Sequence, residues 1–251
     1  MLEKNIIEKI NNLIKNYEFV YITSDMRGFL YNKIINDYQK FFSALFSSLK
    51  NNNVTSIIPS YTYTKKGIFD VYKTESKLSL LTKWSFKEKN IIRSEHPLFS
   101  CIGIGNQKNI LKKISKSAFG RDSIFDKLYN NNSCLLHLGR PLELGNTSIH
   151  YVEQMGGATY RLNKKFKTKV YNKKKYIGTD YTVFVRNLSN KDNNYISNTN
   201  KISKVLKKNK LVKEFGDLKN NTNITVLDYK RSIDIMIDEF YKNQNIFINK
   251  N

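Results

Sequence analysis

All three histidines of the chain fall within residues 93–153, and two of them, His96 and His150, stand in sequence close to hydroxyls and a carboxylate. His150 stands in Gly145-Asn146-Thr147-Ser148-Ile149-His150-Tyr151-Val152-Glu153, where a break at Gly145 precedes three residues able to cap a helix. In a helix starting there, His150 and Glu153 are three apart on one face, so an imidazole and a carboxylate meet. A carboxylate that fixes the imidazole tautomer and raises its basicity makes a general base. The same spacing also suits a structural capping pair or a solvated helix face.

His96 stands in Arg93-Ser94-Glu95-His96-Pro97-Leu98-Phe99-Ser100, followed by Cys101-Ile102-Gly103-Ile104-Gly105. Pro97 disfavours the α region at His96, which predicts a turn running into a strand. Glycines 103 and 105 admit close approach by a ligand or by another stretch of backbone. Cys101 and Cys134 lie in apolar runs without metal-ligand spacing and read as buried free thiols, with a catalytic thiol at Cys101 as the minor reading. Three scattered histidines without nearby cysteines or paired carboxylates offer no metal site.

The elements that must position these groups follow from periodicity. Helical spacing marks residues 2–16, 32–50, 76–89, 106–116, 123–129, 202–215 and 229–243; short apolar runs mark strands at 19–22, 54–63, 133–138 and 224–227. Residues 166–171 and 181–185 alternate on either side of Lys173-Lys174-Lys175 and read as a hairpin or two edge strands. Residues 188–200 read as a polar surface loop. The pattern predicts one α/β domain over 1–251, a central mixed sheet sandwiched between helices.

The order Arg-Ser-x-His-Pro-x-x-Ser (93–100), then Phe119-Gly120-Arg121-Asp122-Ser123, then a strand ending in Leu138-Gly139, then Asn146-Thr147-Ser148-x-His150-x-x-Glu153 resembles the antibiotic N-acetyltransferase family. That family comprises the aminoglycoside acetyltransferases acting on the amine at ring position three and relatives acting on other amines. The resemblance is clear over residues 61–161. It implies the same architecture, acetyl-CoA as co-substrate, and direct transfer in a ternary complex. It also implies that the first strand ends beside the acyl end of coenzyme A, where the family carries His-Ser-Ser. Here Thr23, Ser24 and Asp25 take those places, and Asp25 either assists an ammonium substrate or caps the following helix.

Read through the resemblance, His150 is the base, Glu153 orients it, and Thr147, Ser24 and Ser100 are candidates for oxyanion stabilisation or coenzyme contacts. Arg93 holds a coenzyme phosphate or a carboxylate, and His96 shapes the coenzyme site through its turn. Tyr61 and Tyr63, after Pro59-Ser60, line the acceptor site together with Arg161.

With 251 residues and 40% apolar content the chain has material for one substantial core. No run reaches the length of a membrane span, and the opening MLEKNIIEKI carries no signal-peptide pattern, so a cytoplasmic protein is expected. Self-association is compatible with the chain. Forty-three basic against 21 acidic residues give a net charge of +22. That balance favours an anionic acceptor, such as an amino sugar of surface-glycan or nucleotide-sugar biosynthesis, over a polycationic aminoglycoside. The aminoglycoside remains the alternative within this class. In another class, Lys164–Lys175 with Phe166, Tyr171 and Tyr176 imitates a nucleic-acid platform; retention of all the site residues makes nucleic acid the lesser reading.

Overall fold

The computed structural model describes residues 2–144, 146–187 and 195–250, and the elements below are those of the described residues. In chain order they are α1 (Leu2–Ile14), β1 (Phe19–Ser24), α2 (Arg27–Tyr31), α3 (Tyr38–Asn51), β2 (Thr55–Pro59), β3 (Lys66–Asp70), α4 (Leu80–Ser85), β4 (Ile92–Arg93) and β5 (Cys101–Ile104). A 3-10 turn (Lys108–Lys112) leads to α5 (Ile124–Tyr129), β6 (Ser133–Leu138) and α6 (Ile149–Met155). Four strands follow, β7 (Arg161–Lys165), β8 (Lys167–Asn172), β9 (Lys175–Gly178) and β10 (Thr182–Arg186). The chain continues with β11 (Tyr195–Ser197), α7 (Asn200–Lys208), β12 (Val212–Phe215), β13 (Ile224–Asp228), α8 (Tyr229–Lys242) and β14 (Ile248–Lys250).

Seven strands form the central sheet in the order β12-β13-β6-β1-β2-β5-β4. β1 runs parallel to β2 and to β6, with Tyr21 opposite Ile57 and Thr23 opposite His137. The remaining ladders are antiparallel, so the sheet is mixed, as the pattern predicts. β1 and β6 are buried along their whole length, which is why both read as continuous apolar runs rather than alternating ones.

Each face of the sheet carries its own core. Ile10 and Ile14 of α1, Phe41, Phe42 and Leu45 of α3, and Trp84 of α4 pack on one side. Phe125 of α5, Val152 of α6, Leu206 of α7 and Met236 and Phe240 of α8 pack on the other, with Phe19, Tyr21 and Leu135 of the sheet. Side chains of successive strand residues point to opposite faces, so Thr23 and His137 share the α6–α8 side.

Several elements depart from the pattern for local reasons. The helix expected over 32–50 begins only at Tyr38, because Asp37 is extended and its carboxylate accepts the backbone N–H of Gln39 and Lys40. α7 stops at Lys208 and Lys210 adopts φ 56°, so the second half of the expected 202–215 helix becomes edge strand β12. The two lysine-flanked runs do not pair with one another. β8 joins β3 and β9 in a three-stranded sheet, whereas β10 pairs with β7. Residues 188–194 of the expected polar loop and the break at Gly145 lie outside the described residues; Tyr195–Ser197, also expected in that loop, is a strand on β14. Among the described residues no helix is long and apolar enough to cross a membrane.

Candidate active site

α6 carries the central pair. Ile149, Tyr151 and Val152 are buried in the core on one side of this helix, and the Tyr151 hydroxyl donates to Asp126 Oδ1 at 2.9 Å. These contacts fix the helix against α5. None of the expected side-chain caps forms: Ser148 sits at the N-cap without a capping bond, and its hydroxyl donates to Asn146 Oδ1 instead.

His150 Nδ1 lies 2.6 Å from Glu153 Oε2. The His150 side chain is 24% exposed, whereas that of Glu153 is 0% exposed. Glu153 has three partners. Oε2 also lies 2.8 Å from Arg161 Nε, and Oε1 accepts the Tyr160 hydroxyl at 2.9 Å. Burial pushes the Glu153 carboxyl up, but the hydrogen bond of His150, its charge when the ring is protonated, and the charge of Arg161 outweigh it, and its pKa is lowered. An ionised carboxylate only accepts, so Nδ1 of His150 carries a proton and donates to it, and Nε2 has no hydrogen-bond partner among the described residues.

An aromatic chain runs away from His150. Its ring meets Phe119 edge-on at 5.1 Å, Phe119 meets Phe99 at 4.7 Å, and Phe99 meets Tyr61 at 4.9 Å and Tyr63 at 5.8 Å. Tyr61 is buried, its hydroxyl 2.6 Å from that of Tyr21 and within hydrogen-bonding reach of Thr147. Tyr63 is 51% exposed and has φ 52°. A bulky residue rarely adopts that conformation, and such strain concentrates at ligand sites.

Beyond Tyr63 the C-terminal ends of parallel strands β1 and β6 open onto a cavity of about 550 Å³ whose wall includes Ser24, Asp25, Arg27, Gly139, Arg140 and Leu144. His150 is not part of this wall. The Ser24 hydroxyl is buried without a hydrogen-bond partner, and the Arg140 guanidinium forms no ion pair among the described residues. An orphaned hydroxyl and an unpaired cation fit an anionic, hydrogen-bonding ligand, as a coenzyme A thioester is. Gly139, at φ 66°, sets the floor: a Cβ there would meet the Asp25 carbonyl at 2.1 Å. Asp25 is committed to Arg27, with contacts of 2.5 to 3.1 Å, and accepts the Arg27 backbone N–H as well. The Arg27 side chain, through its hydrogen bonds, lowers the Asp25 pKa.

Other expected site residues serve the frame. Arg93 is buried between the rings of Phe69 and Phe86. Its guanidinium donates to the Ser60 and Ser100 hydroxyls and to the carbonyls of Ser60, Val71 and Thr74. Burial lowers its pKa to about 10. Ser100 in turn donates to the Ser60 carbonyl. His96 accepts the backbone N–H of Leu98 and Phe99 at Nδ1, so Nε2 carries the proton and donates to the Thr182 carbonyl at 3.2 Å. Burial lowers its pKa to about 4. Gly103 packs on the Lys108 and Leu111 side chains of the 3-10 turn and Gly105 on Thr55, so the protein's own atoms fill the space beside both. Cys101 is fully buried and burial pushes its thiol up, away from the thiolate a nucleophile needs. Among the described residues no three His, Cys, Asp or Glu side chains gather into a metal-binding group.

Sequence reasoning placed Tyr160 only as part of the Tyr160-Arg161 segment that the resemblance brings to the acceptor pocket, not on Glu153, and it passed over His137. His137 sits inside the run 133–138 and gives Nδ1 to the Thr23 hydroxyl at 2.8 Å. Its signal was the register of two parallel strands, which no local motif encodes.

The fold recurs in solved structures. It is similar to the aminoglycoside acetyltransferase AAC(3)-IVa apoenzyme, with 18% identity, 98% of this chain and 90% of that chain covered, and a TM-score of 0.73. It is also similar to the YokD protein from Bacillus subtilis (16%, 96% and 99%, TM-score 0.75) and to the aminoglycoside acetyltransferase AAC(3)-Xa (12%, 96% and 92%, TM-score 0.77). No curated protein sequence matches the chain. The profile described as aminoglycoside 3-N-acetyltransferase matches residues 45–240, a span holding the His150–Glu153 pair, the Tyr63 turn and the His96 turn. The chain therefore belongs to the aminoglycoside 3-N-acetyltransferase family, N-acetyltransferases that take their acetyl group from acetyl-CoA.

Proposed function

We propose that the protein acetylates a primary amine of an amino sugar, with His150 as the general base. The observation that carries this is the 2.6 Å contact between His150 Nδ1 and the buried Glu153, which leaves Nε2 as a basic nitrogen on a partly exposed side chain. Acetyl-CoA supplies an activated acyl carbon as its thioester. The amine is protonated near neutral pH and attacks only after that ammonium proton has passed to solvent; His150 Nε2 then takes a second proton from the nitrogen as it attacks. As the carbon–nitrogen bond forms and the carbon–sulfur bond breaks, the same nitrogen holds the proton that the departing thiolate takes up. Ser24 and Arg140 at the β1–β6 end contact the coenzyme, and Tyr63 offers a ring face to the acceptor.

The acceptor class rests on the family and on the ligands of relatives. AAC(3)-IVa was solved with a gentamicin and with apramycin, and AAC-VIa with sisomicin. An aminoglycoside is accordingly the first acceptor to try. The net charge of +22 favours a second reading, an amino sugar bearing phosphate or a nucleotide, because a polycation approaches this protein against repulsion. The test is acetyl-CoA-dependent thiol release with apramycin, gentamicin and sisomicin against a nucleotide-linked amino sugar, each at two salt concentrations. Turnover with an aminoglycoside establishes the first reading. Turnover only with the anionic sugar, weakened by salt, establishes the second. No thiol release with either class, in protein that binds acetyl-CoA, overturns the proposal.

A further inference from the structure

We infer that Arg161, together with Tyr160, is a positioning residue of the acetyl-transfer site, holding the buried Glu153 carboxylate in its ionised form so that His150 stays neutral and able to accept a proton. The inference deepens the proposed function and rests on His150 being its base.

The reasoning starts from Glu153, whose side chain has no exposed surface. A carboxylate in that position must be compensated or it takes a proton. With His150 as the sole compensation, two states would be favoured: a protonated Glu153, which no longer orients the ring through a charge, or a locked imidazolium, which has no lone pair to offer. Neither acts as a base. Arg161 removes the conflict. Its Nε stands 2.8 Å from Oε2, the oxygen that also faces His150 Nδ1 at 2.6 Å. A guanidinium stays charged at any working pH, so ionised Glu153 beside neutral His150 is the balanced arrangement. Tyr160 fills the other oxygen, which stops the carboxylate from rotating away.

The chain builds this cluster locally. Ala158 N–H donates to the Glu153 carbonyl and Gly157 turns at φ 73°, folding the segment after α6 back along the helix. Arg161 then begins β7, and its Nη1 donates to the Phe184 carbonyl on β10 at 3.1 Å. The Arg161 side chain is only 6% exposed, too little for the direct acceptor contact that the resemblance implies. Other charged or titratable groups stand on the elements around the pair. Asp126 of α5 accepts from the Tyr151 hydroxyl, and Arg121 lies just before α5. Tyr229 of α8 and Tyr61 are buried phenols that burial pushes up. Arg186 of β10 is opposite Arg161 in the ladder. The charges acting on Glu153 are that of Arg161 and, whenever the ring takes a proton, that of His150.

The experiment reads the ring proton directly. The chain has three histidines, and burial holds His96 and His137 to about 4, so the His150 ring resonance is separable and is assigned by its loss in His150→Ala. The ring is titrated by NMR in wild-type protein, Arg161→Gln and Arg161→Lys, without substrate, and the pH profile of kcat/KM is recorded for each. Arg161→Gln is expected to raise the His150 midpoint by about one pH unit, with the acid limb of kcat/KM following. Arg161→Lys keeps the charge and the midpoint while kcat falls. Tyr160→Phe, a milder change, moves the midpoint the same way by less and carries the test should Arg161→Gln not fold. An unmoved midpoint with uniformly reduced kcat/KM overturns the inference in favour of a scaffold role. A raised acceptor KM with kcat and midpoint unchanged overturns it in favour of an acceptor contact. Absence of acetyl transfer in the wild type would defeat the proposed function, while the titration would still decide the role of Arg161.

Discussion

The His96 turn and the His150 helix both combine an imidazole with a nearby carboxylate and hydroxyls in sequence, yet they are opposites in space. His96 is closed off: two backbone N–H groups occupy one nitrogen, a carbonyl takes the other, and burial holds its pKa near 4. His150 has one nitrogen on a compensated carboxylate and the other without a hydrogen-bond partner among the described residues. Its side chain is partly exposed. A histidine satisfied at both nitrogens by backbone is a structural bolt, and one held at a single nitrogen by a carboxylate keeps a second nitrogen for the proton transfer proposed for it. The Thr62 hydroxyl donates to the Pro97 carbonyl, so the bolt also holds the Tyr61–Tyr63 turn that forms the far end of the aromatic chain.

The comparison breaks most sharply at His150. Replacing it by alanine is expected to lower kcat/KM by about 10³-fold while leaving acetyl-CoA binding within a few-fold, as read by thiol release and calorimetry. Undiminished turnover would remove the base from the mechanism and erase the distinction between the two histidines.

The converse change is His96→Ala. It should cost about 2 kcal/mol of stability in chemical denaturation, since two backbone N–H groups and a carbonyl lose their partner, while kcat of the folded protein changes by less than ten-fold. Acid sensitivity sharpens the same point. Folding lowers the pKa of His96 and His137 to about 4 from the ordinary 6.5, so the unfolded chain binds more protons between those values. Stability is therefore full above pH 6.5 and falls as pH drops toward 4, by on the order of 3 kcal/mol for each histidine. A flat melting temperature from pH 7 to pH 4.5 would contradict the neutral burial of both rings.

The smallest effect concerns Tyr63. Tyr63→Gly relieves the left-handed backbone and is expected to leave stability unchanged or slightly raised, while the acceptor KM rises several-fold. An unchanged KM would mean that the exposed ring serves no acceptor.

Much of this was legible in the linear chain. The alternation of short apolar runs with helical spacing led to a mixed sheet between helix layers, since β1 and β6 show their burial as unbroken hydrophobicity. The His150–Glu153 pair was legible because a helix brings residues three apart together whatever surrounds it. The roles of Arg93 and Ser100 were not, because an arginine before a loop looks the same whether it meets a phosphate or a set of carbonyls. Five hydrogen bonds and two phenyl rings from distant segments decide that it is a framework residue.

By itself, then, the sequence determined the order of elements, the family, and the one pair whose meeting depends only on local geometry. Tertiary structure decided what that pair can do. Arg161 and Tyr160, brought back by the turn at Gly157, meet the buried Glu153 carboxylate beside His150. His137 meets Thr23 because two parallel strands, separated by most of the first half of the chain, align in one register. The physical reason is that charge compensation and burial depend on neighbours from remote segments, whereas helical periodicity depends only on the residues alongside.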